Sequence, residues 1–179
     1  MIQPVETVYA TARLAVRRLV PGADDAFILR LLNEPSFIAN IADRGVRTLE
    51  AARAYIENGP VAMYAKHGFG LWCVTLPDGT PLGMCGLIKR DHMDDVDVGY
   101  AFLPEHWGRG YALEAVAGSL AWGRAHRGLG RIVAIVNPDN ARSIRVLQKL
   151  DFRYEGPIRM PGEETDIALY ASSAPGTAP

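Results

Sequence analysis

Leu103-Pro104-Glu105-His106-Trp107-Gly108-Arg109-Gly110-Tyr111-Ala112 is the stretch on which the fold turns. The alternating apolar pattern from Val96 to Leu103 predicts a strand running into it, and a helical pattern from about Tyr111 to His126 runs out of it. Glycines at 108 and 110 carry no Cβ, so the backbone of this junction can come close to a ligand. The first turn of the following helix offers unpaired N–H groups at the positive end of its dipole. Together these make an anion site, and phosphate is the obvious anion.

The remaining chain reads as support for that junction. Its 179 residues, 49% of them hydrophobic, are expected to make one domain over residues 1–170, followed by a small-residue, proline-containing tail at 171–179 that is expected to be disordered. A net charge of −1 gives no general attraction to nucleic acid or anionic membrane. No apolar run approaches a membrane span and no export signal is evident, so a cytoplasmic location is expected. Two cysteines make no disulfide framework. If Asp78-Gly79 turns a hairpin, Cys73 lies near Met84 and Cys85 near Trp72, on opposite faces of the sheet, as buried apolar side chains.

In order, the patterns predict a strand at Arg13–Leu19 and a helix capped by Asp24 with Phe27, Ile28, Leu31 and Leu32 inward. A helical turn at Phe37–Ile41 follows, then a helix from the cap Thr48 that Gly59-Pro60 should stop. Strands are expected at Phe69–Leu76, Leu82–Ile88 and Val96–Leu103. The helix after the glycines should pack through Leu113, Val116, Ala117 and Leu120. A buried strand at Ile132–Val136, a helix at Ala141–Leu150 with Ile144, Leu147 and Leu150 inward, and strands at Phe152–Ile158 and Asp166–Tyr170 complete the chain. The fold class is therefore mixed α/β (α+β), with helices on both faces of the sheet and a βαβ unit from Val96 to Val136.

Gly-x-Gly alone does not name a ligand. A dinucleotide fingerprint requires a small residue where Leu113 stands and an acid where Asn137 ends the next strand, and a phosphate-binding loop of the Gly-Lys-Ser/Thr type is missing. Instead, Asp97-Val98-Gly99-Tyr100-Ala101-Phe102-Leu103-Pro104 with Trp107-Gly108-Arg109-Gly110-Tyr111-Ala112-Leu113-Glu114-Ala115 resembles the acetyl-CoA-binding core of the GNAT superfamily of N-acetyltransferases. The closer likeness is to the branch containing the ribosomal-protein-alanine acetyltransferases. A second block, Asn137-Pro138-Asp139-Asn140-Ala141-Arg142-Ser143 with Val146-Leu147-Gln148-Lys149-Leu150-Asp151-Phe152, resembles the same branch, and the likeness spans roughly residues 10 to 170. Two departures stand out. Trp107 replaces the Arg or Gln that opens the loop in the wider superfamily, and Asp151 replaces the usual Gly after the last helix, a left-handed position that Asp tolerates better than most residues.

The resemblance implies a central, mostly antiparallel sheet of about six to seven strands. It also implies acetyl-CoA as co-substrate and direct attack by a primary amine in a ternary complex. It places the pyrophosphate on the backbone of Gly108, Arg109, Gly110, Tyr111, Ala112 and Leu113 beside Trp107, and the pantetheine arm along Phe102 and Leu103. A backbone N–H there would stabilise the developing oxyanion. Asn140 is an N-cap with a possible second bond to the pantetheine arm, and Ser143 the group near the sulfur that could protonate the thiolate. Asp97 is the leading candidate for general base, with Glu34, His92 and Glu105 in reserve. His67, His106 and His126 show no metal spacing, so no metal is expected. The acceptor pocket is expected from Phe37 to Arg47, the loop near His92 and the final strands, where Asp43, Asp94 and Asp95 would favour a cation. Small amines and a protein N-terminus both remain open as acceptors, as do monomer and homodimer. The rival readings are a non-catalytic acyl-CoA sensor and an interaction module on the same fold.

Overall fold

A computed structural model describes residues 6–173. Eight strands form one sheet in the order β1-β2-β3-β4-β5-β6-β8-β7. They are β1 (Thr7–Ala10), β2 (Ala15–Arg17), β3 (Leu71–Thr75), β4 (Pro81–Lys89), β5 (Val96–Phe102), β6 (Arg131–Val136), β7 (Arg153–Arg159) and β8 (Asp166–Ser173). The helices are α1 (Asp25–Leu32), α2 (Pro35–Asn40), α3 (Leu49–Ile56), α4 (Ala62–His67), α5 (Tyr111–Arg127) and α6 (Ala141–Lys149). All strand pairs are antiparallel except β5–β6. The architecture is the expected mixed α/β sheet with one strand more than the upper expectation. The addition is β1, too short and too weakly alternating to stand out in the sequence.

Two apolar layers cover the sheet. On one face Trp72, Cys85, Leu87, Val98 and Phe102 pack with Val116 and Leu120 of α5 and Leu147 of α6. On the other, Cys73, Met84 and Leu103 pack with Ile28, Leu31 and Leu32 of α1 and Ala52 and Ile56 of α3. The hairpin register pairs Trp72 with Cys85 and Cys73 with Met84, as expected. The two thiols thus lie in different layers, and burial pushes each up to about 12.

Three local expectations need correction. Pro60 does not end the helix after Thr48. The chain passes through a π-helical turn at Glu57–Val61 and continues into α4, because a wider turn accommodates a proline that has no N–H to give. The inward stripe of α5 is Ala115, Val116, Ser119, Leu120 and Gly123, while Ala117 is exposed. Small residues bring that helix down on the sheet: a Cβ on Gly123 would come within 2.8 Å of Leu87. Finally, β8 carries pairing through Ala171 and Ser172 to Ser173, so these three residues belong to the sheet and not to the tail; residues 174–179 lie outside the described range.

Candidate active site

The parallel pair at the centre of the sheet is short. β5 and β6 pair only through Val96 with Ile132 and Asp97 with Val133, after which the strands part. On its other side β5 stays paired with β4 through to Phe102, and the Leu103 N–H donates to the Leu82 carbonyl at 2.9 Å. In an antiparallel pair, hydrogen-bonded and non-bonded positions alternate. Leu103 and Ala101 are therefore bonded to β4, and the backbone N–H and C=O of Tyr100 and Phe102 point the other way, into the gap left by β6. This is an unpaired strand edge inside a covered sheet, suited to an extended ligand.

The gap opens into a cleft of about 780 Å³, which continues into a smaller one of about 280 Å³ along α5 and α6. Phe102, Trp107, Gly108, Ala112, Arg142, Arg145 and Val146 line both. Gly108 and Gly110 have φ of +74° and +79°, a region that L side chains enter at a cost of roughly 1–2 kcal/mol. A Cβ on Gly108 would meet nothing within 4 Å, so what that glycine supplies is conformation and open approach. The loop is held from behind by the N-terminal segment. Arg13 donates from Nε to Glu114 at 2.7 Å and from Nη1 to the Arg109 carbonyl at 2.8 Å, and its guanidinium lies over the Tyr111 ring. Thr11 Oγ1 donates to the same Glu114 at 2.5 Å.

Trp107 joins the loop to the strand. Its indole N–H donates to the Phe102 carbonyl at 2.9 Å, and Arg142 stacks over the ring at 3.8 Å. One of the edge groups of β5 is thereby used, leaving the Phe102 N–H and both Tyr100 groups directed at the gap. Across it, Asn140 caps α6 by accepting from the Ser143 N–H at 3.2 Å. Ser143 Oγ lies 2.6 Å from the Tyr100 hydroxyl, which is also 3.1 Å from the Ser143 carbonyl. Burial pushes the Tyr100 phenol well up, so it keeps its proton. The sequence alone assigns Tyr100 no role. The strand alternation alone gave no sign that its hydroxyl would meet Ser143, because that contact joins residues 43 apart.

The expected site residues separate as follows. Phe102, Trp107, Gly108, Ala112, Asn140 and Ser143 line the larger cleft, and Gly110, Tyr111 and Leu113 the smaller. Leu103 is buried in the α1–α3 layer with its N–H committed to Leu82, so it offers the gap nothing. Arg109 lines neither cleft and contributes its carbonyl to the Arg13 brace. Asp97 is also off the cleft wall. It is 1% exposed, paired with Arg90 at 3.1 Å, and its Oδ1 has no partner among the described residues. Burial raises its pKa, while Arg90 opposes the rise. The reserve acids Glu34 and Glu105 both pair with Arg30. Of the expected acceptor segments, only Phe37 to Ile41 reaches the cleft, through Phe37, Asn40 and Ile41.

A strand edge opened beside a positive-φ glycine loop at a helix start is the arrangement to compare with known proteins. The model of the acetyltransferase (GNAT) domain matches residues 13–153. The chain belongs to the GNAT acetyltransferase family. The protein YkkB of Bacillus subtilis (strain 168) is 30% identical over 158 residues, covering 86% of this chain and 90% of that one. Among solved structures, an acetyltransferase of Agrobacterium tumefaciens str. C58 superposes with a TM-score of 0.79 at 21% identity, covering 97% and 98% of the two chains. RimL, a ribosomal L7/L12 alpha-N-protein acetyltransferase solved with coenzyme A, gives 0.78 at 17% identity over 94% and 98%. The fold is thus shared with the ribosomal-protein acetyltransferases that the sequence resembles. Its family makes the GNAT protein an acetyltransferase whose acetyl donor is acetyl-CoA, and no helix among the described residues is long and apolar enough to cross a membrane.

Proposed function

We propose that the protein transfers the acetyl group of acetyl-CoA to a primary amine by direct attack within a ternary complex. The observation that carries this reading is the parting of β5 from β6 next to the glycine loop. Donor and acceptor then meet in one continuous cleft, and neither needs a covalent stop on the protein. Cys73 and Cys85 are unsuited to such a stop, being buried and held as thiols far above neutral pH.

Coenzyme A would fit the donor half. The N–H groups from Gly108 to Leu113 would take the pyrophosphate at the start of α5, with Arg142, Arg145 and Lys149 adding positive charge along the smaller cleft. The β5 edge at Tyr100 and Phe102 would bind the pantetheine arm in the manner of an added strand, leaving a backbone N–H for the acetyl carbonyl. The thioester supplies an activated acetyl group with a thiol leaving group.

Proton handling is assigned to three side chains. Ser143 would donate its proton to the departing sulfur and take one back from solvent in the cleft, so that the proton the amine loses balances the one the thiol gains. The phenol of Tyr100 has a single proton and two acceptors, the Ser143 hydroxyl and the Ser143 carbonyl. When Tyr100 donates to Ser143 Oγ, the serine proton is released for the sulfur; when it donates to the carbonyl, the serine proton turns back on Tyr100. Tyr100 is thus a positioning residue for Ser143. Asp97 would receive the amine proton through water reaching its unpartnered Oδ1, since its carboxylate is off the cleft wall. The test is acetyl-CoA thiol release with amines in the wild-type protein and in Ser143→Ala. Donor binding without amine-dependent release in the wild-type protein contradicts the enzyme reading and favours the acyl-CoA sensor.

A further inference from the structure

The acceptor end of the cleft is built from side chains of α1, α2 and the residue after α2: Leu31, Ser36, Phe37, Asn40 and Ile41. All are neutral. Asp139, in the turn before α6 and three residues from Arg142, is the one carboxylate of the lining among the described residues, and the same lining holds Arg142 and Arg145. Of the acids expected to attract a cation, Asp43 pairs with Arg47 at 2.7 Å and Asp95 with Arg131 at 2.9 Å, while Asp94 is exposed and lines neither cleft; Asp97 pairs with Arg90 at 3.1 Å. Glu34 and Glu105 share the single Arg30, and neither lines either cleft. A polyamine or aminoglycoside carries several ammonium groups at fixed spacing and needs several unmatched carboxylates to replace their hydration. Among the described residues the α1–α2 wall has none, and the rest of the lining has Asp139 alone.

What the wall presents is apolar surface. Ile38 and Ile41, on and just after α2, are 37% and 46% exposed, and Ile41 lines the cleft with the buried ring of Phe37. Beside them Asn40 donates its amide N–H to the Ser36 carbonyl at 2.9 Å, so its amide oxygen is the group it can offer to an amine N–H.

From this lining we infer that the acceptor is a primary amine on an uncharged, apolar body, and that polycationic amines are poor substrates. The inference rests on the acetyl-transfer reading above. The same chemistry is met by a small aralkyl amine and by a chain N-terminus with an apolar first residue, and the test separates the two.

Acetyl-CoA thiol release would be followed with phenethylamine, a short uncharged peptide with an apolar first residue, spermidine and kanamycin. The expected result is a kcat/KM at least tenfold higher for one or both of the first two than for either polycation, their ratio showing which source fits. Ile41→Asp should narrow or reverse that preference while the rise in Tm caused by acetyl-CoA is retained. Faster turnover of spermidine or kanamycin overturns the inference, as does an Ile41→Asp variant with unaltered preference. Failure to acetylate any of the four, by protein whose Tm acetyl-CoA does raise, also overturns it. Absence of that rise in Tm instead overturns the acetyl-transfer reading on which the inference stands.

Discussion

The two ends of the cleft are made of different material. The end proposed for the donor is mostly backbone: the open edge of β5 at Tyr100 and Phe102, the positive-φ turns at Gly108 and Gly110, and the capped start of α6 at Asn140. The end proposed for the acceptor is side chain on and just after two short helices, α1 and α2. Backbone sites demand particular residue types, because only glycine enters a left-handed turn without strain and few side chains cap a helix. Side-chain walls make no such demand, since many residues fill the same space. One end can therefore be read as a motif and the other only as a surface.

The most severe way to break the donor end is Gly110→Val. A β-branched residue at φ +79° would strain the loop, and its Cβ would come within 3.3 Å of the Arg13 guanidinium. Titration of the variant with acetyl-CoA should show binding lost, with the fold retained by circular dichroism. Gly108→Ala is gentler, because the added Cβ meets nothing. The roughly 1–2 kcal/mol cost of the left-handed turn predicts an approximately 5- to 30-fold loss of affinity. Near-native affinity in both variants would mean that the loop is only a turn.

Next in size is the pair that spans the gap. Ser143→Ala and Tyr100→Phe should each lower kcat by about 100-fold, the low end of what one proton-transfer group contributes, with KM for acetyl-CoA nearly unchanged. With Tyr100 acting through Ser143, as proposed, the double variant should be no slower than the slower single one. Multiplying losses in that cycle would separate the two residues.

Asp97 gives a pH-dependent prediction. Its pKa is raised on folding, so the native state holds more protons than the unfolded chain between the two values. Stability therefore falls as pH climbs from the unfolded value, about 3.9, through the folded one, and returns on acidification over the same window. Asn at this position keeps an acceptor for Arg90 but cannot titrate. Urea midpoints of Asp97→Asn should lack that part of the slope, and an unchanged slope would show that the carboxylate is not the group responsible.

The smallest effect lies at the end of α6. Asp151 adopts φ +60°, as expected for the residue standing where the family resemblance leads one to expect glycine. Asp151→Gly should raise stability by about 0.5–1 kcal/mol without altering turnover, and thermal unfolding would show it as a small increase in Tm.

How much of this was legible follows from the same contrast. The hairpin register of Cys73 and Cys85, the Thr48 and Asn140 caps and the βαβ unit could be read locally, because each rests on spacing within a few dozen residues. The loop brace by Arg13, the meeting of Tyr100 with Ser143 and the withdrawal of Asp97 into an ion pair could not, since these depend on the positions that folding gives to side chains distant in sequence or buried. The stripe of α5 was misjudged for another reason. Hydrophobic size suggested Ala117 over Ser119 and Gly123, whereas close approach to the sheet selects for smallness. Leu103 shows the limit of a strand motif: which residues face the gap depends on the pairing with β4, a partner the motif does not contain.

The central claim is that the opened β5 edge and the glycine loop together hold the acetyl donor. Thermal unfolding with and without acetyl-CoA, with adenosine as control, tests it most directly. At about 100 times its dissociation constant a ligand stabilises by about 2.7 kcal/mol, roughly a 5–10 °C rise in Tm for a domain of this size. The account predicts that rise with acetyl-CoA, none with adenosine, and its loss in Gly110→Val. No rise at millimolar acetyl-CoA would contradict it.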